Sequence, residues 1–171
     1  MAERTGLVTR GGNPVTLLGN DLKVGDPAPD FALVGADMSL VKLSDYRGKV
    51  VIVAAVPSLE TVVCSNETVR FEEEAESLGD DVAIITVSMD LPYAMKRWAT
   101  ENAIEHVVLA SDHQAAAFGE AYGVLRADMR LLARAVYVID RQGVVRYIQI
   151  VPEIGQEPDY AEVIQAAQRL I

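Results

Sequence analysis

The sequence predicts an α/β protein whose central sheet is mixed and covered by helices on both faces. The run 50–56 is apolar at every position and the run 82–87 at every position except Thr86, which is typical of strands buried on both sides. The segment between them places apolar residues at helical spacing. Near the carboxyl end, a short turn separates two further apolar runs, which predicts an antiparallel pair.

The first part of the chain predicts a hairpin followed by extended segments. Gly11-Gly12-Asn13-Pro14 is a strong turn signal between two short β-prone runs, 7–9 and 15–18, so we expect an N-terminal β-hairpin. Pro27 and Pro29 each restrict the preceding residue to extended geometry. Short strands are predicted at 31–34 and 40–43.

Helices and strands then alternate to the end of the chain. A helix is predicted from Val62 to Leu78, with Gly79 at its C-cap, and Asp90 is expected to cap a second helix that reaches about Asn102. The remaining predicted elements are a strand at 107–109, a helix capped by Asp112, a hairpin of 135–139 with 144–150, and a helix opening at Pro158-Asp159. Without repeats or linkers, residues 1–171 are expected to form a single domain.

Composition and charge exclude several classes of protein. Half of the 171 residues are hydrophobic and the formal net charge is −10, which favours a packed core and argues against a general nucleic-acid binder. The longest clean apolar run, 50–56, is far shorter than the roughly 20 residues of a membrane-spanning helix. The start of the chain does not resemble a signal peptide. We therefore expect a cytoplasmic protein with no membrane partner.

Several kinds of chemistry are disfavoured by the motifs that the sequence lacks. The single cysteine, Cys64, excludes an intramolecular disulfide, a Cys-x-x-Cys redox pair and a multi-cysteine zinc site. Gly-rich phosphate loops and a Gly-x-Ser-x-Gly elbow do not occur. His106 and His113 have no acidic residue at ligand spacing. We expect neither a cofactor nor a metal.

Cys64 stands at the predicted start of a helix, directly after a buried strand. Free backbone N–H groups and the positive end of the helix dipole favour the thiolate there, and the thiolate is the nucleophilic form. Thr61, three residues earlier, can turn its hydroxyl toward the sulfur, and Pro57 can shield it from water. A lone cysteine is also often a small buried hydrophobe, and the spacing alone leaves both interpretations open.

A series of collinear motifs resembles one family over about 150 residues of the chain. Pro57, Thr61 and Cys64 form Pro-x-x-x-Thr-x-x-Cys, which resembles the peroxidatic motif of the peroxiredoxins. The other segments resemble the thiol peroxidase subfamily in order: Gly12-Asn13-Pro14-Val15, Val24-Gly25-Asp26-Pro27-Ala28-Pro29-Asp30-Phe31, Ser88-Met89-Asp90-Leu91-Pro92-Tyr93-Ala94, Tyr122-Gly123-Val124, Leu132-Ala133-Arg134-Ala135 and Val151-Pro152-Glu153-Ile154 through Glu157-Pro158-Asp159-Tyr160.

The resemblance implies a thioredoxin-like fold and a thiol peroxidase without a cofactor. Cys64 would be the peroxidatic cysteine, Thr61 its hydroxyl partner, Pro57 its shield and Arg134 the active-site arginine. Without the resemblance, Arg134 would be interpreted as a solvated basic residue. The thiolate would reduce hydrogen peroxide or an alkyl hydroperoxide and become sulfenic acid. The resemblance also implies a homodimer and recycling by thioredoxin or another external thiol. Trp98 is expected either in the core or beside the site.

One position departs from the subfamily pattern. Its resolving cysteine lies in an Arg-Phe-Cys run, and this chain has Arg97-Trp98-Ala99 there. Cys64 sulfenic acid therefore has no second thiol in its own chain. Either the protein is a natural one-cysteine variant or Ala99 is an engineered replacement, and the sequence leaves both open. A non-catalytic thioredoxin-fold binding or holdase module and a peroxide sensor are the alternative functions.

Overall fold

A computed structural model describes residues 1–171, which form ten strands and four α-helices. In chain order these are β1 (Glu3–Arg10), β2 (Asn13–Leu18), β3 (Ala32–Gly35), β4 (Leu40–Lys42), β5 (Val50–Ala55), α1 (Val62–Leu78), β6 (Val82–Ser88), α2 (Pro92–Glu101), β7 (Val108–Ser111), α3 (Ala117–Tyr122), β8 (Leu125–Arg126), β9 (Ala135–Ile139), β10 (Val145–Ile150) and α4 (Tyr160–Gln168). A short 3-10 helix, Leu43–Tyr46, follows β4.

The central sheet has seven strands in the order β10-β9-β5-β6-β7-β3-β4. Strands β5, β6 and β7 are parallel, whereas β9 is antiparallel to β5 and β3 is antiparallel to β7. The predicted hairpin of β9 and β10 closes one edge. This arrangement confirms the mixed sheet that the sequence predicts, and β5, one of its inner strands, leads directly into α1.

Side chains along β5 alternate between two buried clusters, one on each face of the sheet. Val51, Val53 and Ala55 belong to one buried cluster, and Val50, Ile52 and Ala54 belong to the other. The first cluster includes residues of α3 and the N-terminal hairpin, and the second includes residues of α1, α2 and α4. An uninterrupted apolar run is what a strand between two such layers requires.

The N-terminal hairpin is confirmed, with Val8 opposite Val15 and Arg10 opposite Asn13. It forms a separate three-stranded sheet in the order β1-β2-β8. The sequence did not predict β8, because two residues carry too little periodicity to be recognised.

Two predicted helix caps differ from the structure. Asp90 does not cap α2, whose N-cap is Leu91, because its carboxylate accepts hydrogen bonds from Ser58, Leu59 and Ser88 instead. Asp112 does hold the start of α3, accepting from the N–H groups of Phe118 and Gly119 at 3.0 and 2.9 Å, although the N-cap residue itself is Ala116.

No helix in the protein combines the length and the apolar character that crossing a bilayer requires.

Candidate active site

Cys64 is the third residue of α1, and the helix begins there because Thr61 caps it. Thr61 has extended backbone angles, and its hydroxyl oxygen accepts from the N–H of Cys64 at 3.3 Å. The N–H groups of Val62 and Val63 precede the first intrahelical bond and point toward the start of the helix. Cys64 itself is fully buried, so its sulfur lies near the start of the helix in a medium with little water.

The hydroxyl of Thr61 is engaged with the backbone on both sides. Besides accepting from Cys64, it donates to the carbonyl of Ser58 at 3.0 Å. Thr61 thereby fixes the turn before α1, and in this arrangement its proton points to Ser58 instead of the sulfur. Pro57 is buried two residues after the end of β5, between that strand and this turn.

Arg134 is the side chain that reaches the sulfur. It precedes β9, is 1% exposed, and places Nη2 at 3.3 Å from Sγ of Cys64. Its Nε and Nη2 also donate to the carbonyl of Ile154 at 3.2 and 3.0 Å. The structure thus brings Cys64 and Arg134 together from distant parts of the chain, and Arg134 is not a solvated basic residue.

Glu67 completes the buried group, and the sequence analysis missed it. It lies one helical turn after Cys64, and Oε2 accepts from Nη1 of Arg134, while Oε1 has no partner. Burial raises the pKa of Glu67 to about 7, against the lowering influence of Arg134. The available signal was its i+3 spacing from Cys64, which puts both side chains on one face of α1.

A second network holds the turn before α1 against the end of β6. Asp90 accepts from Ser58 Oγ at 2.6 Å and from the N–H of Leu59 at 2.8 Å, and Ser88 Oγ donates to the same carboxylate at 2.6 Å. The starts of α1 and α2 are therefore adjacent. This adjacency puts the residues after Asp90 beside the Cys64 turn.

Helix α2 also contacts the first turn of α1. Trp98 is 5% exposed, packs in the same buried cluster as Cys64, and donates from Nε1 to Ser65 Oγ at 3.2 Å. It is thus both a core residue and a neighbour of the site. Ala99 is partly buried against that cluster, and Arg97 pairs with Glu60.

The sequence and the fold match known proteins over most of the chain. The Redoxin family matches residues 23–164. The thiol peroxidase of Oceanobacillus iheyensis is 48% identical over 157 residues, covering 92% of this chain and 95% of the relative. The thiol peroxidase of Bacillus subtilis is 46% identical over 164 residues, covering 96% of this chain and 98% of the relative.

The chain belongs to the thiol peroxidases of the peroxiredoxin family. It is therefore an enzyme, a thiol-dependent peroxidase, and the reading as a non-catalytic binding module is not favoured. The match extends over most of this chain and of each relative's length, so it does not rest on one motif. The single cysteine of the chain fits the absence of a resolving cysteine.

Solved structures confirm the thioredoxin-like peroxiredoxin fold. A peroxiredoxin-like protein from Aquifex aeolicus superposes with a TM-score of 0.91 at 42% identity, covering 98% of this chain and 99% of the other. A thiol peroxidase from Chromobacterium violaceum gives a TM-score of 0.82 at 20% identity and covers 95% of both chains, which supports the fold alone.

Proposed function

We propose that Cys64 is the peroxidatic cysteine of this thiol peroxidase and that Arg134 activates it. The observation that carries the proposal is the 3.3 Å contact between Arg134 Nη2 and Cys64 Sγ inside a fully buried site. A guanidinium cannot lose its proton under ordinary conditions, so it offers the sulfur a permanent positive charge. In a site with little water, that charge stabilises the thiolate more strongly than it would at the surface.

The reaction is an in-line displacement at oxygen. The thiolate of Cys64 attacks the terminal oxygen of a hydroperoxide, so an S–O bond forms while the O–O bond breaks. The sulfur is oxidised to sulfenic acid, the peroxide is reduced by two electrons, and the leaving alkoxide or hydroxide takes a proton to become alcohol or water. Arg134 and the N–H groups at the start of α1 stabilise the charge that moves onto oxygen.

The proposed reductant is thioredoxin or another external thiol, because the chain holds a single sulfhydryl group. A thiol condenses with the sulfenic acid, giving a mixed disulfide and water. A second thiol then attacks the mixed disulfide. It forms a disulfide with the first thiol, and Cys64 is released in its reduced form. A protein thiol can reach a fully buried sulfur only if the first turn of α1 opens, whereas a small peroxide needs less opening.

Stopped-flow oxidation and intact mass test the assignment directly. Wild-type protein with one equivalent of cumene hydroperoxide should gain one oxygen atom, many orders of magnitude faster than a free thiol reacts, and Cys64→Ser should gain none. Arg134→Lys should react about a hundredfold more slowly, since it loses the planar guanidinium whose Nη2 contacts the sulfur. Arg126→Lys is the matched control, because Arg126 is also buried but pairs with Asp128. Equal rates for both lysine variants would contradict the role of Arg134.

We also propose that the enzyme is a homodimer whose interface borders the site. Three large apolar side chains are exposed at the adjacent starts of α1 and α2: Val62 at 75%, Leu91 at 57% and Tyr93 at 74%. Apolar groups gathered in this way are typical of protein interfaces. Sedimentation of the wild type should give a dimer, and Tyr93→Asp should shift it toward monomer.

We place the protein in the cytoplasm. An unpaired thiol is compatible with that reducing compartment.

A further inference from the structure

The N-terminal hairpin is joined to the segment that follows β10 by two backbone hydrogen bonds. Thr9 N–H donates to the carbonyl of Pro152 at 2.7 Å, and Ile154 N–H donates to the carbonyl of Thr9 at 3.0 Å. Residues 151–159 belong to neither a helix nor a strand. Contacts with the hairpin therefore supply a restraint that regular secondary structure does not give this segment.

Glu153 adds a side-chain connection between the same two parts. Its carboxylate accepts from the hydroxyl of Thr9 and from the N–H of Gly11 in the hairpin turn. These bonds, led by that from Thr9, lower the pKa of Glu153, so the carboxylate is ionised at neutral pH. Charged acceptors make the stronger hydrogen bonds, which favours one position of the segment over others.

The segment held in this way carries the carbonyl that orients Arg134. The Ile154 carbonyl accepts from Nε and Nη2 of Arg134, and the same Nη2 lies 3.3 Å from Cys64 Sγ. Ile154 is thus fixed on both sides, with its N–H on Thr9 and its carbonyl on Arg134. A shift of this carbonyl would move the guanidinium away from the sulfur.

We propose that Thr9 and Glu153 are positioning residues, which set the place of Arg134 at Cys64 through the Ile154 carbonyl. The proposal rests on the proposed roles of Cys64 and Arg134. Neither Thr9 nor Glu153 touches the sulfur, so each acts only through the position of the Ile154 carbonyl that accepts from Arg134. Charge stabilisation in a preorganised site depends steeply on distance, so even a displacement of about 1 Å is costly.

The test compares four variants by stopped-flow oxidation with cumene hydroperoxide over a range of pH. Thr9→Val and Glu153→Gln should lower the second-order rate constant about three- to tenfold. Both should also move the acid limb of the pH profile to higher pH, since a displaced guanidinium stabilises the thiolate less. Thr9→Ser keeps the hydroxyl and should restore the wild-type rate and profile. Thr5→Val, on an exposed part of β1, is the matched control and should change neither.

Urea unfolding of the same variants separates positioning from simple reinforcement of the fold. Partial unfolding lowers the amplitude of the oxidation, whereas a displaced Arg134 lowers its rate constant. If Thr9→Val and Glu153→Gln unfold more easily but keep the wild-type rate constant and pH profile, the proposal is overturned. The assignment of Cys64 is tested separately, because Cys64→Ser abolishes oxidation whatever the hairpin does.

Discussion

At the residue scale, the buried guanidinium of Arg134 contacts two acidic groups. Arg134 contacts Sγ of Cys64 through Nη2 and the carboxylate of Glu67 through Nη1. An ionised Glu67 offsets the charge of Arg134, whereas a protonated Glu67 leaves that charge to the thiolate. Because burial raises the pKa of Glu67 to about 7, a part of the molecules holds Glu67 neutral near physiological pH.

Glu67 makes the stability of the protein depend on pH. Its pKa rises from an ordinary value of 4.5 to about 7 in the fold, so the folded state binds this proton more tightly than the unfolded chain. The stabilisation is therefore fully present below about pH 4.5 and is lost as the pH rises through about 7. This loss is on the order of 3 kcal/mol in the wild type.

Glu67→Gln should remove that loss, because the amide does not titrate. Urea unfolding below pH 4.5 and above pH 7 measures the free energy of unfolding of both proteins. The stability of the variant relative to the wild type should increase as the pH rises. Peroxide oxidation of the variant should match the wild type well below pH 7 and be faster above it, where the ionised Glu67 of the wild type offsets the charge of Arg134. Glu73→Gln, an exposed carboxylate on the same helix, is the control. A parallel pH dependence of wild type and Glu67→Gln would refute this account.

At the scale of single elements, the sequence predicted α1 with its observed bounds, Val62–Leu78. It did so because apolar residues recur at helical spacing and Gly79 follows the last residue, whereas the cap by Thr61 became evident only in the structure. The expected cap at Asp90 was wrong for a physical reason. Its carboxylate is taken by Ser58 and Leu59, more than 30 positions earlier in the chain, and no local pattern reveals such partners.

Asp90→Ala should loosen the turn before α1. The change removes the acceptor of Ser58 Oγ, Ser88 Oγ and the N–H of Leu59, so we expect a loss of about 2–4 kcal/mol in urea unfolding. Under native conditions iodoacetamide should alkylate Cys64 faster, because the buried sulfur is exposed by opening of this turn. Asp80→Ala, in an exposed loop, should alter neither measurement. Unchanged alkylation in Asp90→Ala would show that this network does not govern access.

At the scale of the whole molecule, the sequence predicted the layers but not the connections between distant segments. The mixed sheet, the hairpins and the position of Cys64 follow from local periodicity and turn residues. The approach of Arg134 to Cys64 was implied by family resemblance alone. The support of Arg134 by Ile154 and the hairpin depends on tertiary packing, which periodicity does not encode.

The same long-range packing decides what a second thiol in α2 would do. Ala99 is partly buried against the cluster that contains Cys64, and its neighbour Trp98 contacts Ser65 in the first turn of α1. Ala99→Cys should therefore capture the sulfenic acid after one equivalent of peroxide. The product would be an intramolecular disulfide with release of water, two hydrogen atoms lighter than the reduced variant by intact mass.

Thr100→Cys is the matched control for this capture, because Thr100 lies on the exposed side of the same helix. It should retain the sulfenic acid or pair between chains, since its sulfur points away from the shared cluster. The disulfide of Ala99→Cys also requires the first turn of α1 to open, so it should form more slowly than the sulfenic acid. Disulfide formation at equal rates in both variants would mean that the packing of α2 on α1 does not select the partner thiol.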